Sequence, residues 1–405
     1  MIERAWWPRA ALRRDEDDER ERRVTWLELF FDLVFVVVIS RLAHGLAGHV
    51  DLRGVVDFGL MFAAVFWAWN AFTFYVERFE SGGLEHRAFV FAAIATSAAM
   101  AVWVDGGLGR HYTGFVIAYI ATRSVNMVQW IRAGVHVPVF RPVAVRFVAG
   151  FAVTAAVLLV GLSVAGDARR AVFAIAVLID IATPTFTLGH QAKLPQISTS
   201  KFPERFGQLT MVVLGESVVG VISSVSDRNE HGLLDVRSAI NAGLGLGIGF
   251  GLWWIYFDFV ARRPPKPSLP ATLGWVYLHL ATLAAITATG TGISVAIADD
   301  GARSLSAPAR SLLAGSAAVA LIGFGALELT LRRAAGEPTH PTVSPGLKVV
   351  SGAIVVLVAT VDLGWSTMAL LAVILIALAV PAAYGAAVWF APTNTHRTEQ
   401  QEIAP

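Results

Sequence analysis

Long apolar stretches separated by short polar breaks dominate this chain. Twelve stand out, at 27–47, 56–77, 88–104, 112–133, 143–164, 171–190, 207–224, 238–260, 271–298, 310–331, 347–361 and 365–390. A hydrocarbon core is crossed by a helix of about 20 apolar residues. The pattern therefore predicts an all-α, polytopic helical membrane protein with about 12 transmembrane helices. The eleventh stretch is short and turns tightly into the twelfth at Asp362–Gly364.

The polar breaks predict the orientation. With the N-terminus inside, the cytoplasmic segments hold 22 Arg and Lys and the outer loops hold eight. Positive charge collects on the cytoplasmic side, so both termini are expected in the cytoplasm, as an even number of spans also requires. The expected organisation is a polar cytoplasmic segment at 1–24, a six-helix half at 25–190, a linker at 191–206, a second six-helix half at 207–390 and a tail at 391–405. In the first segment, "RRDEDDERERR" mixes both signs and reads as a solvated tail. It is too acidic for the start of a cleaved signal peptide, and the apolar run after it is long enough to span.

Composition agrees with lipid as the solvent. The chain has 405 residues, 55% hydrophobic and 15% charged, with mean hydropathy +0.61. Soluble domains carry about 25% charged residues. The absence of cysteine excludes disulfides, thiolate metal sites and a cysteine nucleophile. A net charge of +2 gives no reason to expect nucleic acid.

The chain also echoes itself. "LELFFDLVFVVVIS" (27–40) aligns with "PERFGQLTMVVLGE" (203–216), placing Glu28 on Glu204, Phe30 on Phe206, Asp32 on Gln208 and Ser40 on Glu216. Trp-rich spans follow each, with Tyr75 and Glu77 against Tyr256 and Asp258, and then spans that match His86 to His279. These echoes predict two parallel six-helix repeats.

Charges deep in a bilayer face protein or water and tend to be functional. Glu28 and Asp32 are one turn apart on a shared face of the first span. Arg41 lies on the opposite side and farther along, so Asp32 and Arg41 need partners on other helices. Arg123, with Asn126 a turn on, is central in span four, Asp180 in span six and Glu216 in span seven. The candidate pairs are Asp32 or Glu216 with Arg123, and Asp180 or Glu216 with Arg41. Each residue has a second reading as glue that fixes helix register. Glu77, Asp258, Glu328 and Asp362 sit at span ends, where surface pairs such as Asp258 with Arg262 and Glu328 with Arg332 are expected. His44 closes the first span, and the lone His279 reads as a hydrogen-bonded core residue.

Glycine and proline add three features. Gly243, Gly247 and Gly251 share a helix face suited to close packing. "TATGTGIS" (287–294) is a candidate helix break, although an ordinary Thr-lined helix fits it better. Pro184 predicts a kink in span six. No H-E-x-x-H, G-x-S-x-G or Walker motif occurs, so no enzyme, cofactor or metal is expected.

"WLELFFDLVFVVVISRLAH", "FWAWNAFTFYVERF", "ERFGQLTMVVLGESVV" and "WWIYFDF" resemble the signatures of the bacterial low temperature requirement protein A family. The resemblance runs from about Thr25 to Phe390 and implies a polytopic membrane protein without an established substrate. It departs in the ninth span, where family members often carry a Pro-containing run after the histidine. Three functions are weighed. The favoured one is a secondary transporter or ion pathway for an unknown small solute or ion, with Glu28, Asp32, Arg41, His44, Arg123, Asn126, Asp180, Glu216 and His279 as candidates. The others are a non-transporting protein of envelope and cold adaptation that binds lipid or a partner, and an intramembrane enzyme acting on lipids. A polar mid-membrane cavity lined by both halves favours transport, dry ion pairs throughout favour a structural role, and a side opening to lipid at Glu28 and Asp32 favours the enzyme. The oligomeric state is not readable from the sequence.

Overall fold

Polar residues begin the helices and apolar faces assemble them. The structure, a computed structural model, describes residues 9–12, 25–80, 83–194, 202–299, 305–334, 336–361 and 364–390. The expected tail, most of the N-terminal segment and Asp362 lie outside the described residues.

The first half contains α1 (Trp26–Ala47), α2 (Leu52–Arg78), α3 (Leu84–Trp103), α4 (Tyr112–His136), α5 (Arg141–Val160), α6 (Gly166–Ala182) and a one-turn α7 (Leu188–Gln191). The second contains α8 (Phe202–Glu230), α9 (Val236–Tyr256), α10 (Leu269–Ala298), α11 (Ala307–Thr330), α12 (Val343–Thr360) and α13 (Thr367–Trp389). Asp51, Asp235, Ser268 and Ser366 cap α2, α9, α10 and α13 by accepting from backbone amides of the first turn, which satisfies donors that a helix start leaves unpaired. A two-residue antiparallel ribbon joins β1 (Ala11–Leu12) to β2 (Phe79–Glu80).

Among the described residues, 11 helical segments are long and apolar enough to cross a bilayer. The chain is therefore a multi-pass membrane protein. The remaining expected span, the fourth, is α4, which is 25 residues long but falls outside that apolar set. Its polar side chains Thr122, Arg123, Asn126 and Gln129 are buried inside the protein. Apolar residues such as Phe30, Leu33 and Val37 of α1 instead point outward, where lipid would cover them.

The two halves share a packing pattern. In the first, α1 contacts α2 and α3, α3 contacts α4, α4 contacts α5, α5 contacts α6, and α6 returns to α2. In the second, α8 contacts α9 and α10, α10 contacts α11, α11 contacts α12, α12 contacts α13, and α13 returns to α9. The halves meet where α1 packs on α8 and α10, and α2 packs on α10.

Helix α10 passes unbroken through Thr287–Ser294, so the candidate break is absent. The hydroxyls of Thr287, Thr289, Thr291 and Ser294 donate to carbonyls four residues back. This satisfies the polar side chains inside a continuous helix. Gly292 permits close approach: a Cβ there would lie 2.9 Å from the Cα of Leu313 on α11. Gly247 and Gly251 similarly seat Leu375 and Leu378 of α13. Pro184 has the expected effect, converting the end of the sixth span to a 3-10 stretch, Thr183–Thr187, before α7. A π-helical turn, Phe257–Ala261, ends the α9 segment.

Candidate functional site

Among the described residues, three buried ion clusters and a polar cleft hold most of the candidate residues, and a further largely buried pair joins Arg132 to Glu85. Below, the near end is the one where α1 and α8 begin, and the far end is the opposite one.

The first cluster joins the halves at the near end. Thr25 caps α1 in a reciprocal arrangement: its hydroxyl accepts from the Glu28 amide at 3.3 Å, and Glu28 accepts from the Thr25 amide at 3.1 Å. This fixes Glu28 beside Asp32. Arg205 of α8 lies 2.9 Å from Asp32 and 3.8 Å from Glu28. The indole of Trp69 on α2 donates to the same Asp32 oxygen at 2.8 Å. Arg205 is fully buried. The partner of Asp32 is therefore Arg205, not Arg123. The sequence pattern places Arg205 in the 191–206 linker, but α8 starts at Phe202 and carries it into the core.

The second cluster lies within the first half. Arg123 donates to both oxygens of Asp180, at 3.0 and 2.6 Å. Tyr119 donates to Asp180 at 2.6 Å, and the Trp67 indole donates to the Asp180 carbonyl at 3.0 Å. Asn126 accepts from Arg123 at 3.3 Å and from Trp130 at 2.9 Å. Asp180 thus pairs with Arg123 and not with Arg41. The adjoining cavity of about 40 Å³ is walled mostly by apolar side chains, room for only a few waters. Trp67 and Trp69 are buried in helix packing.

The third cluster was not anticipated. Glu328 of α11 accepts from Arg263 at 3.0 Å, from Lys348 at 2.8 Å and from Ser344 at 2.8 Å. The Lys348 ammonium also sits 3.7 Å from the centre of the Phe259 ring, in the π-helical turn. Glu328 is buried here and does not form the expected surface pair with Arg332. Asp258 does pair with Arg262, at 3.1 Å, and Glu77 is buried.

His279 is a core residue. Its Nδ1 lies 2.8 Å from the Trp275 carbonyl and its Nε2 lies 3.1 Å from the Tyr256 hydroxyl. The carbonyl only accepts, so Nδ1 carries the proton and Nε2 accepts from Tyr256. Phe206 and Trp275 pack against the ring.

Glu216 has different surroundings. It forms the floor of a cleft of about 500 Å³ between α1, α8 and α10 that extends to the far end, where Asp227 and Asp299 line it. Its walls carry Ser217, Ser223, Ser224, Thr287, Thr291 and Ser294, with His44 on the α1 side. The Ser40 side chain faces the Glu216 carboxylate. His44 Nδ1 is 3.9 Å from Glu216 but only 2.8 Å from the Ser40 carbonyl, so its Nδ1 proton belongs to the carbonyl. Arg41 lines an adjoining cleft with Asp105 and Glu216. Among the described residues it has no ion pair within 4 Å, with Glu216, Asp180 or any other acid.

From Glu216 to Arg205 is 11 residues along α8, or about 16 Å of helix. Buried Leu209 and Val213 of α8, Phe35 and Ile39 of α1, and Leu283 and Ile286 of α10 fill that interval. The cleft ends at Glu216, an apolar layer lies beneath it, and the Glu28–Asp32–Arg205 cluster closes the near end.

These features define a helical multi-pass membrane protein with a polar cleft open at one end and sealed at the other. The matching family model, bacterial low temperature requirement A protein (LtrA), covers residues 23–391, and the chain belongs to that family. No curated protein and no solved structure matches it.

Proposed function

We propose that this protein is a secondary transporter or ion pathway of a bacterial cytoplasmic membrane, not an enzyme, with Glu216 as its working carboxylate. The observation that carries the reading is the cleft at Glu216, which takes walls from both halves, α1 from the first and α8 and α10 from the second. A residue serving only as glue needs no water-filled approach. The near end, which gathers the excess of Arg and Lys, is assigned to the cytoplasm, and the cleft then faces outward. Alternating access requires the near end to open in turn, and the Glu28–Asp32–Arg205 cluster is the closure that must part.

A duplicated chain fits this reading. The shared packing order of the halves supports it. So does the meeting of Ser40 with Glu216, because these two residues occupy matching positions in the aligned segments. The dry clusters Arg123–Asp180 and Glu328–Lys348 act as register-fixing glue within each half.

The test is proton flux into proteoliposomes under an imposed pH gradient, read with an entrapped dye. Glu216→Gln is expected to abolish flux while the protein stays folded. Undiminished flux in that variant, or no flux in the wild type with any tested solute, overturns the reading.

A further inference from the structure

The chemistry of the outward cleft specifies more than a pathway. Its charged lining consists of Glu216, Asp227 and Asp299, with the imidazole of His44 and no lysine or arginine. Arg228, next to Asp227, is held at the rim, where it donates to Ser238 at 3.0 Å, to the Leu233 carbonyl at 3.1 Å and to the Ala298 carbonyl at 3.4 Å, and it is not part of the lining. Arg41 lines the adjoining cleft, which also takes in Asp105 and Glu216. Low-dielectric walls bearing one sign of charge focus the field into the space between them. This cleft therefore draws cations and repels anions.

Ser217 gives a second, independent indication. It lines the cleft next to Glu216, is 5% exposed, and its hydroxyl has no hydrogen-bond partner among the described residues. A buried hydroxyl left unpaired costs about 1–3 kcal/mol, and a ligand that brings a hydrogen-bonding group offsets that cost. Gly290 accommodates the hydroxyl, since a Cβ there would lie 2.2 Å from the Ser217 Oγ. No group of three metal-ligating side chains gathers among the described residues. The volume of about 500 Å³ instead falls in the range of roughly 300–1,000 Å³ typical of sites for organic molecules.

We infer that the cleft between α1, α8 and α10 binds a small hydrophilic organic cation, with its ammonium group toward Glu216 and a hydroxyl or amide toward Ser217. That this cation is the cargo rests on the transport reading; that it binds does not.

The absence of cysteine makes a direct test possible. Ser223→Cys places a single thiol at an exposed position on the cleft wall. Its reaction rate is measured with a trimethylammonium and with a sulfonate methanethiosulfonate, each divided by the reagent's rate with free 2-mercaptoethanol. The normalised rate is expected to favour the cation by about tenfold or more. Adding Glu216→Gln should reduce that preference at least about twofold. A normalised ratio of one or below overturns the cation assignment and leaves the transport reading standing. A ratio unchanged by Glu216→Gln overturns the placement of the ammonium. Cation preference without flux in the proteoliposome assay keeps the site and removes the transport reading. A folded variant that reacts with neither reagent has no water-filled cleft, and both fall.

Discussion

Arg205→Met is the most severe single substitution the first cluster offers. It removes the cation that faces two buried carboxylates, Asp32 at 2.9 Å and Glu28 at 3.8 Å. Among the described residues Asp32 then keeps only the Trp69 indole, at 2.8 Å. Glu28 keeps the Thr25 amide at 3.1 Å and stands farther from the guanidinium than Asp32 does, so most of the uncompensated charge falls on Asp32. Removing one member of a buried pair typically costs about 3–5 kcal/mol, because it strands the other in a medium that solvates it poorly. Asp32→Asn is milder. The amide oxygen still accepts from Trp69 and Arg205, and the loss is the ionic part of one contact, about 1–3 kcal/mol. The double variant Asp32→Asn with Arg205→Met no longer strands a charge at position 32. It should therefore be more stable than the sum of the single losses implies, with a coupling of about 1–3 kcal/mol. Reversible unfolding in mixed micelles, run on all four proteins, measures each term. If Arg205→Met lies within about 1 kcal/mol of the wild type, or if the two losses simply add, the cluster is not a dry ion pair. The near-end seal would then have to be sought elsewhere.

Three further outcomes follow from the same geometry. Lys348→Met, which breaks a fully buried contact to Glu328, should cost about 3–5 kcal/mol, whereas Arg262→Met, from an exposed pair with Asp258, should cost about 0–1 kcal/mol in the same unfolding assay. Gly292→Ala forces a Cβ to within 2.9 Å of Leu313 Cα and should destabilise by about 1–3 kcal/mol, while Gly249→Ala meets nothing within 4 Å and should stabilise by about 0.5–1 kcal/mol. Hydrogen bonds from the Ser238 hydroxyl and amide hold the exposed Asp235 carboxyl below its usual range. The folded value is depressed, so its support of the α9 start is present above the unfolded value of about 3.9 and disappears as pH falls through the folded one. The difference in Ser238 amide exchange between wild type and Asp235→Ala should therefore be clear near about pH 6 and should narrow as pH falls below about 3.9.

The sequence and the structure agree where the physics is local. An apolar run of about 20 residues specifies a membrane helix whatever surrounds it, so the spans, the Pro184 distortion and the character of His279 were all readable. The threonine run was harder. Hydroxyls that bond back to their own helix and hydroxyls that mark a broken one look the same in a string of letters. Ion pairing was harder still, because it depends on which helices become neighbours. The pattern assigns Arg205 to a loop because the apolar run starts at 207, yet α8 begins five residues earlier, with Pro203 in its first turn. Lys348, at the edge of the apolar run 347–361, is likewise fully buried in α12. One local signal was present and unused: Thr25 and Glu28 stand at the spacing of a reciprocal helix cap, which starts α1 just before Glu28 and sets that residue at the membrane boundary.

Asp32 and Glu216 show why depth alone is a poor guide to function. Both are buried carboxylates on membrane helices, 2% and 8% exposed, and the segments around them align. Depth ranks them together; their partners separate them. Asp32 holds a guanidinium and an indole, so its charge is already answered by protein, and moving it requires breaking contacts between the halves. Glu216 has a serine hydroxyl and a distant imidazole, and faces a cleft wide enough for a solute. A carboxylate whose charge the protein has answered can lock a conformation. One whose charge is left for something arriving through the cleft can bind and release. On that division of labour, substitutions at Asp32 should act first on stability and on the balance between open and closed states, and substitutions at Glu216 on what the cleft binds.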